Sequence, residues 1–166
     1  MTHARHPGVQ FATLLLFWLV LNGSLAPDAL IIGVIAAAAI TLLLPAAIPF
    51  FGQFRGNRPE AWLAAIGYFA YFFKELVKSN LRIGAVVLAP SLPVSPGIVK
   101  VRTKLKTPMG RLLLANSITL TPGTLTVDLD GDWLYIHWVR VESVDIDKAT
   151  AEIVAGFERY LEVMYG

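Results

Sequence analysis

The sequence predicts a membrane-embedded run of two to three hydrophobic helices, followed by a small α+β cytoplasmic domain in the order β-α-β-β-β-α. Three observations carry this expectation. The chain is 55% hydrophobic with a mean hydropathy of +0.60. Its charges are uneven: residues 1–90 hold six Lys/Arg and three Asp/Glu, whereas residues 91–166 hold eight and nine. Residues 116–132, NSITLTPGTLTVDLDGD, alternate polar and apolar side chains, the period of half-buried strands.

These features divide the chain into a membrane-embedded region (1–88), a proline-rich linker (89–97) and a cytoplasmic domain (98–166). The complete absence of cysteine excludes disulfides, thiolate metal sites and cysteine nucleophiles. A net charge of +2, dispersed along the chain, gives no nucleic-acid footprint.

The first hydrophobic segment is residues 11–26 and the second is 29–51, which runs for 23 residues without a charge. Helix over that length spans about 35 Å, enough to cross a bilayer. Pro27 and Asp28 break the chain between them, so the pair reads as a tight helical hairpin. Pro45 and Pro49 are expected to kink or fray its exit. Arg5, the apolar run and Ser24-Leu25-Ala26 also imitate a signal peptide with its cleavage site. The second apolar stretch and Pro27 favour an uncleaved helix instead.

The third segment, 62–84, begins apolar on all sides and then becomes amphipathic, with Lys74, Lys78 and Arg82 four residues apart on one face. The plain reading is a helix leaving the bilayer core with its basic ends in the interface. The sharper one makes Lys74 and Glu75 ion-path residues. Arg5, Arg55, Arg58 and the cluster from Lys100 to Arg111 set orientation. Two crossings place every basic cluster, and the C-terminal domain, in the cytoplasm; three would place one cluster outside.

Pro90, Pro93 and Pro96 make the linker extended and semi-stiff. Beyond it, 99–105 reads as a strand with one basic, solvated face, and 108–115 as a short helix capped by Thr107 with Pro108 at its first position. Residues 117–121 and 124–130 are expected to form a hairpin with their polar side chains toward water. Its turn is Thr121-Pro122-Gly123-Thr124, where Gly123 supplies positive φ. A further strand follows over 133–141, and an amphipathic helix over 145–165 buries Ile146, Ala149, Ile153, Phe157, Leu161 and Met164.

No catalytic constellation emerges, and no enzyme activity, cofactor or metal is expected. Asp128, Asp130 and Asp132 copy the opening of a calcium loop, but the glycine and terminal glutamate that loop needs are missing. His137 has no partner at metal spacing. Ser117 lacks a nearby base, so a membrane hydrolase using Ser117 or His137 has little support.

Residues 115–139, ANSITLTPGTLTVDLDGDWLYIHWV, resemble the signature of the E subunit of the multisubunit cation/proton antiporters of the Mrp or Mnh type. The apolar N-terminal half and the C-terminal length fit as well. The resemblance implies an accessory subunit in a complex of the bacterial cell membrane that exchanges cytoplasmic Na⁺ for protons. Other hydrophobic subunits and the lipid bilayer are its expected partners. The ion machinery is then carried by larger subunits. Asn116, Thr119, Thr121, Pro122, Gly123, Thr124 and Asp128 are expected to shape the motif's turn and hairpin rather than react. The alternative is a free-standing, membrane-anchored binding module whose cytoplasmic sheet captures a soluble partner.

Overall fold

The computed structural model describes residues 7–43, 53–91 and 93–166. Arg5, Pro45, Pro49 and the end of the second apolar segment lie outside the described residues. By its internal contacts the chain forms two units, Met1–Phe54 and Arg55–Gly166.

The first unit is a helical hairpin of α1 (Pro7–Asn22) and α2 (Pro27–Leu43). Pro27 and Asp28, expected to form the loop, instead open α2, because a proline at the first helical position forfeits no hydrogen bond and an acid there meets the positive helix end. The reversal is made by Gly23, at φ 60°, and by Ser24, whose Oγ accepts from the Ala26 amide at 3.1 Å. Trp18 Nε1 donates to the Ala29 carbonyl at 2.9 Å, and a Cβ on Gly33 would stand 2.5 Å from the same indole. Gly33 therefore lets the helices close on Trp18. Leu16, Phe17, Val20, Leu21, Ile31 and Ile35 are exposed along the hairpin. No helix among the described residues is long and apolar enough to cross a membrane.

The second unit starts with α3 (Pro59–Leu88), about 45 Å long. It packs on the C-terminal helix α6 (Ala155–Tyr165) through reciprocal ring-on-glycine contacts. Tyr71 lies over Gly156, Tyr160 lies over Gly67, and Tyr71 meets Phe157 edge-on at 5.1 Å. Then come β1 (Gly97–Arg102), α4 (Pro108–Leu120), β2 (Thr124–Asp130), β3 (Trp133–Trp138) and α5 (Ile146–Ile153). The sheet order is β1-β3-β2, antiparallel throughout. Val99, Val101, Leu134, Ile136 and Trp138 form its buried face, which with Leu105, Leu114, Ile118, Val154 and Leu161 makes the core. Complete burial of one such side chain contributes about 1.5–3 kcal/mol.

Two sequence expectations are corrected here. Residues 117–121 form no strand: α4, capped as expected by Thr107, runs on through Leu120, and the β-hairpin is β2–β3, turned by Gly131 at φ 56°. The observed order is therefore β-α-β-β-α-α, with a three-stranded sheet. The single helix expected over 145–165 bends at Val154, which ends α5 and begins α6. Its buried stripe holds from Ala149 to Met164, while Ile146 is exposed.

Candidate functional site

The alternation in 116–132 turns out to serve a helix end. The last carbonyls of an α-helix lack intrahelical donors; the hydroxyls of Thr121 and Thr124 supply one of them, and Thr126 bonds a carbonyl further back in the helix. Thr121 Oγ1 donates to Ile118 O at 2.8 Å, Thr124 Oγ1 to the same oxygen at 2.7 Å, and Thr126 Oγ1 to Ala115 O at 3.1 Å. Thr119 Oγ1 accepts from the Thr126 amide at 3.1 Å, tying the strand to the helix. The expected polarity of β2 is thus reversed at its start: the threonines face α4, while Leu125 and Val127 are exposed. A bulge between Thr126 and Asp128 then restores the usual sense, because one extra residue flips the alternation. Leu129 turns inward, and Asp128 accepts from the Leu129 amide at 2.8 Å. Gly123 has φ 101°, as the turn requires, and its Cα faces Ile83 of α3. Asn116 is exposed on α4.

That turn forms one wall of a cleft of about 100 Å³. Glu75, Lys78 and Arg82 of α3 form the opposite wall, and Glu142 and Glu152 close it. Glu75 therefore belongs to the same site as Thr121, Pro122, Gly123 and Thr124, whereas Lys74 is exposed and does not line it. Glu75 pairs with Lys78 at 3.4 Å, and Arg82 stands between Glu142 at 3.6 Å and Glu152 at 3.8 Å. All five side chains are partly solvated, so each pair contributes about 0–1 kcal/mol. Burial raises the Glu152 carboxyl above its ordinary value and Glu142 adds to the rise, with Arg82 and Lys78 opposing. Glu142 and Glu152 escaped the sequence reading because nothing local links them to α3; only the fold brings them to Arg82.

Elsewhere the reactive groups are occupied. Ser117 Oγ donates to Leu113 O at 2.6 Å, so the Tyr68 hydroxyl, also at 2.6 Å, is the donor to it. His137 lies on the opposite side of the sheet from Ser117, since its strand neighbours Ile136 and Trp138 are the buried ones. Asp132 accepts from Lys106 at 2.7 Å and Arg111 at 2.8 Å; the Lys106 hydrogen bond chiefly holds its carboxyl below the usual range. The buried Glu158 accepts from Thr103 Oγ1 at 2.5 Å and the Lys104 amide at 2.7 Å, pinning α6 to the end of β1. Among the described residues no group of acids and histidines is arranged to hold a metal.

The described residues thus comprise an apolar helical hairpin and a small α+β unit. The chain belongs to the Na⁺/H⁺ ion antiporter subunit family (MNHE), which it matches over residues 11–164. The resemblance carried by residues 115–139 is thereby borne out, down to the type of subunit. The chain is 42% identical to the E subunit of the Na⁺/H⁺ antiporter of Alkalihalophilus pseudofirmus, over 58% of this chain and 61% of that protein. The E1 subunit of the Staphylococcus haemolyticus Na⁺/H⁺ antiporter is 33% identical over 87% of this chain and 86% of its own. The fold is similar to a chain of the membrane-bound sulfane sulfur reductase, an archaeal respiratory membrane complex. There the TM-score is 0.81 at 37% identity, covering 96% of this chain and 99% of that one.

Proposed function

We propose that this chain is an accessory subunit of a multisubunit Na⁺/H⁺ antiporter in the bacterial cell membrane, supporting its assembly and its proton-coupled efflux of monovalent cations. The family match over residues 11–164 carries the reading. Arg82 of α3 reaches Glu142 and Glu152, which are distant from it in the sequence, and this tying together of separate elements supports a structural role for the cleft. In this reading the apolar hairpin docks among lipids and other hydrophobic subunits. The basic residues from Lys100 to Arg111 keep the domain over residues 98–166 in the cytoplasm. The packing of α3 on α6 favours two crossings over three.

Tagged, detergent-extracted chain should co-purify with several very hydrophobic subunits, and its deletion should abolish Na⁺-dependent proton movement in everted vesicles. Purification alone, with antiport intact, would point instead to a free-standing anchored binding module. A second reading, a subunit of a respiratory membrane complex, draws on the likeness to the reductase chain. Redox subunits among the co-purifying proteins would favour it.

A further inference from the structure

The sheet has a second face, opposite the helices, and its residues form a grid fixed by strand register. Ile98, His137 and Leu125 are aligned in one row, Lys100, Tyr135 and Asp128 in the next, and Arg102, Trp133 and Asp130 in the third. Cross-strand partners share a face. The grid is therefore basic along β1, aromatic along β3 and acidic along β2, with an apolar side chain at each end of the first row, Ile98 63% and Leu125 48% exposed.

The cations on this face are prearranged. Lys100 Nζ sits 4.2 Å from the centre of the Trp133 ring, and the Arg102 guanidinium 5.6 Å from it. Neither makes an ion pair within 4.0 Å among the described residues, whereas Lys106 and Arg111 nearby are both spent on Asp132. Stacking on a ring fixes a long side chain and lowers the entropy lost when a partner binds.

We propose that this open sheet face is a docking surface for an acidic, partly apolar segment of a partner protein, its carboxylates meeting Lys100 and Arg102 and its apolar residues meeting Ile98 and Leu125. The inference rests on the reading of the chain as a subunit of a larger complex. The charge pattern selects a protein over a lipid surface. Asp128 and Asp130 lie two strands from the cations, about 10 Å away, which is close to one Debye length. A uniformly anionic bilayer would attract one edge of the grid and repel the other. A partner protein can vary its charge over that distance.

The test places a photo-crosslinking phenylalanine analogue at Ile98 in the full chain, within the membrane-extracted complex. The expected product is a protein adduct whose cross-linked peptide is rich in Asp and Glu. Its yield should fall about tenfold or more in Lys100→Glu/Arg102→Glu, as for a loss of 1.4 kcal/mol. Lys100→Gln/Arg102→Gln, which introduces no new charge, should give a smaller fall and serves if the double reversal does not fold. A lipid adduct alone, no adduct, or a protein adduct indifferent to both substitutions would overturn the proposal. Co-purifying subunits without an adduct would sink this inference alone; a chain that purifies with no partner sinks the subunit reading with it.

Discussion

The two units of this molecule differ in how far their side-chain hydrogen bonds reach along the chain. In the hairpin, Thr13, Asn22 and Thr41 each donate to a carbonyl four residues back, so their demands end within their own helix. In the second unit the bonds run between distant parts of the chain: Tyr68 to Ser117, Thr103 to Glu158, Lys106 and Arg111 to Asp132. A hairpin with exposed leucines and isoleucines and locally satisfied hydroxyls suits an apolar environment and lends its own surface little specificity. Where these pairs are buried, as at Tyr68–Ser117 and Thr103–Glu158, they hold one arrangement, because a broken pair leaves an unsatisfied group inside.

The largest test of this contrast compares one core substitution in each unit. Leu161→Ala, at a fully buried site, should destabilise the second unit by about 2–5 kcal/mol in denaturant titration. Gly33→Leu should splay the hairpin by driving a side chain into Trp18, yet leave the second unit's denaturation midpoint unchanged. A matching shift in both variants would mean that the units fold as one.

Next in size is Gly123→Val, expected to cost about 1–3 kcal/mol by forcing a β-branched residue into positive φ. Subunit levels and assembly should fall together. An assembled variant with altered ion preference would instead make the turn a functional site.

A smaller effect is expected from Asp132, whose folded carboxyl is lowered by Lys106. A depressed folded value means that its contribution is present above the unfolded value of 3.8 and is lost as pH falls through the folded one. Thermal stability should therefore drop more steeply below about pH 3.8 in the parent than in Asp132→Asn, with the two curves converging at the acid end. Parallel curves would show the ion pairs to be energetically idle.

The smallest expected effect is that of Glu75→Gln. It breaks one partly solvated pair with Lys78, and antiport per assembled complex in everted vesicles should change only modestly across a pH series. Near-complete loss with normal assembly would make Glu75 a proton carrier and overturn the accessory reading.

Much of this was legible in the residues themselves. The apolar first half, the cap at Thr107, the positive φ of Gly123, the alternation of β3 and the stripe from Ala149 to Met164 are local properties, set by the torsional limits of glycine and by side-chain period. What local pattern could not decide was the direction in which a polar residue turns. Residues 117–121 alternate like a strand, yet Ile118 and Ser117 are both buried on a helix, because α4 packs against β2 and α6. Thr124 and Thr126 look like a solvated strand face, but the Ile118 carbonyl stranded at the end of α4 draws Thr124 inward, and Thr126 bonds Ala115 O on the same helix. Glu142 and Glu152 acquire meaning only through Arg82, some sixty residues or more earlier in the chain. Period and propensity fix what a segment can form; the hydrogen-bond needs of its neighbours, which only the tertiary structure brings within reach, decide which face it shows.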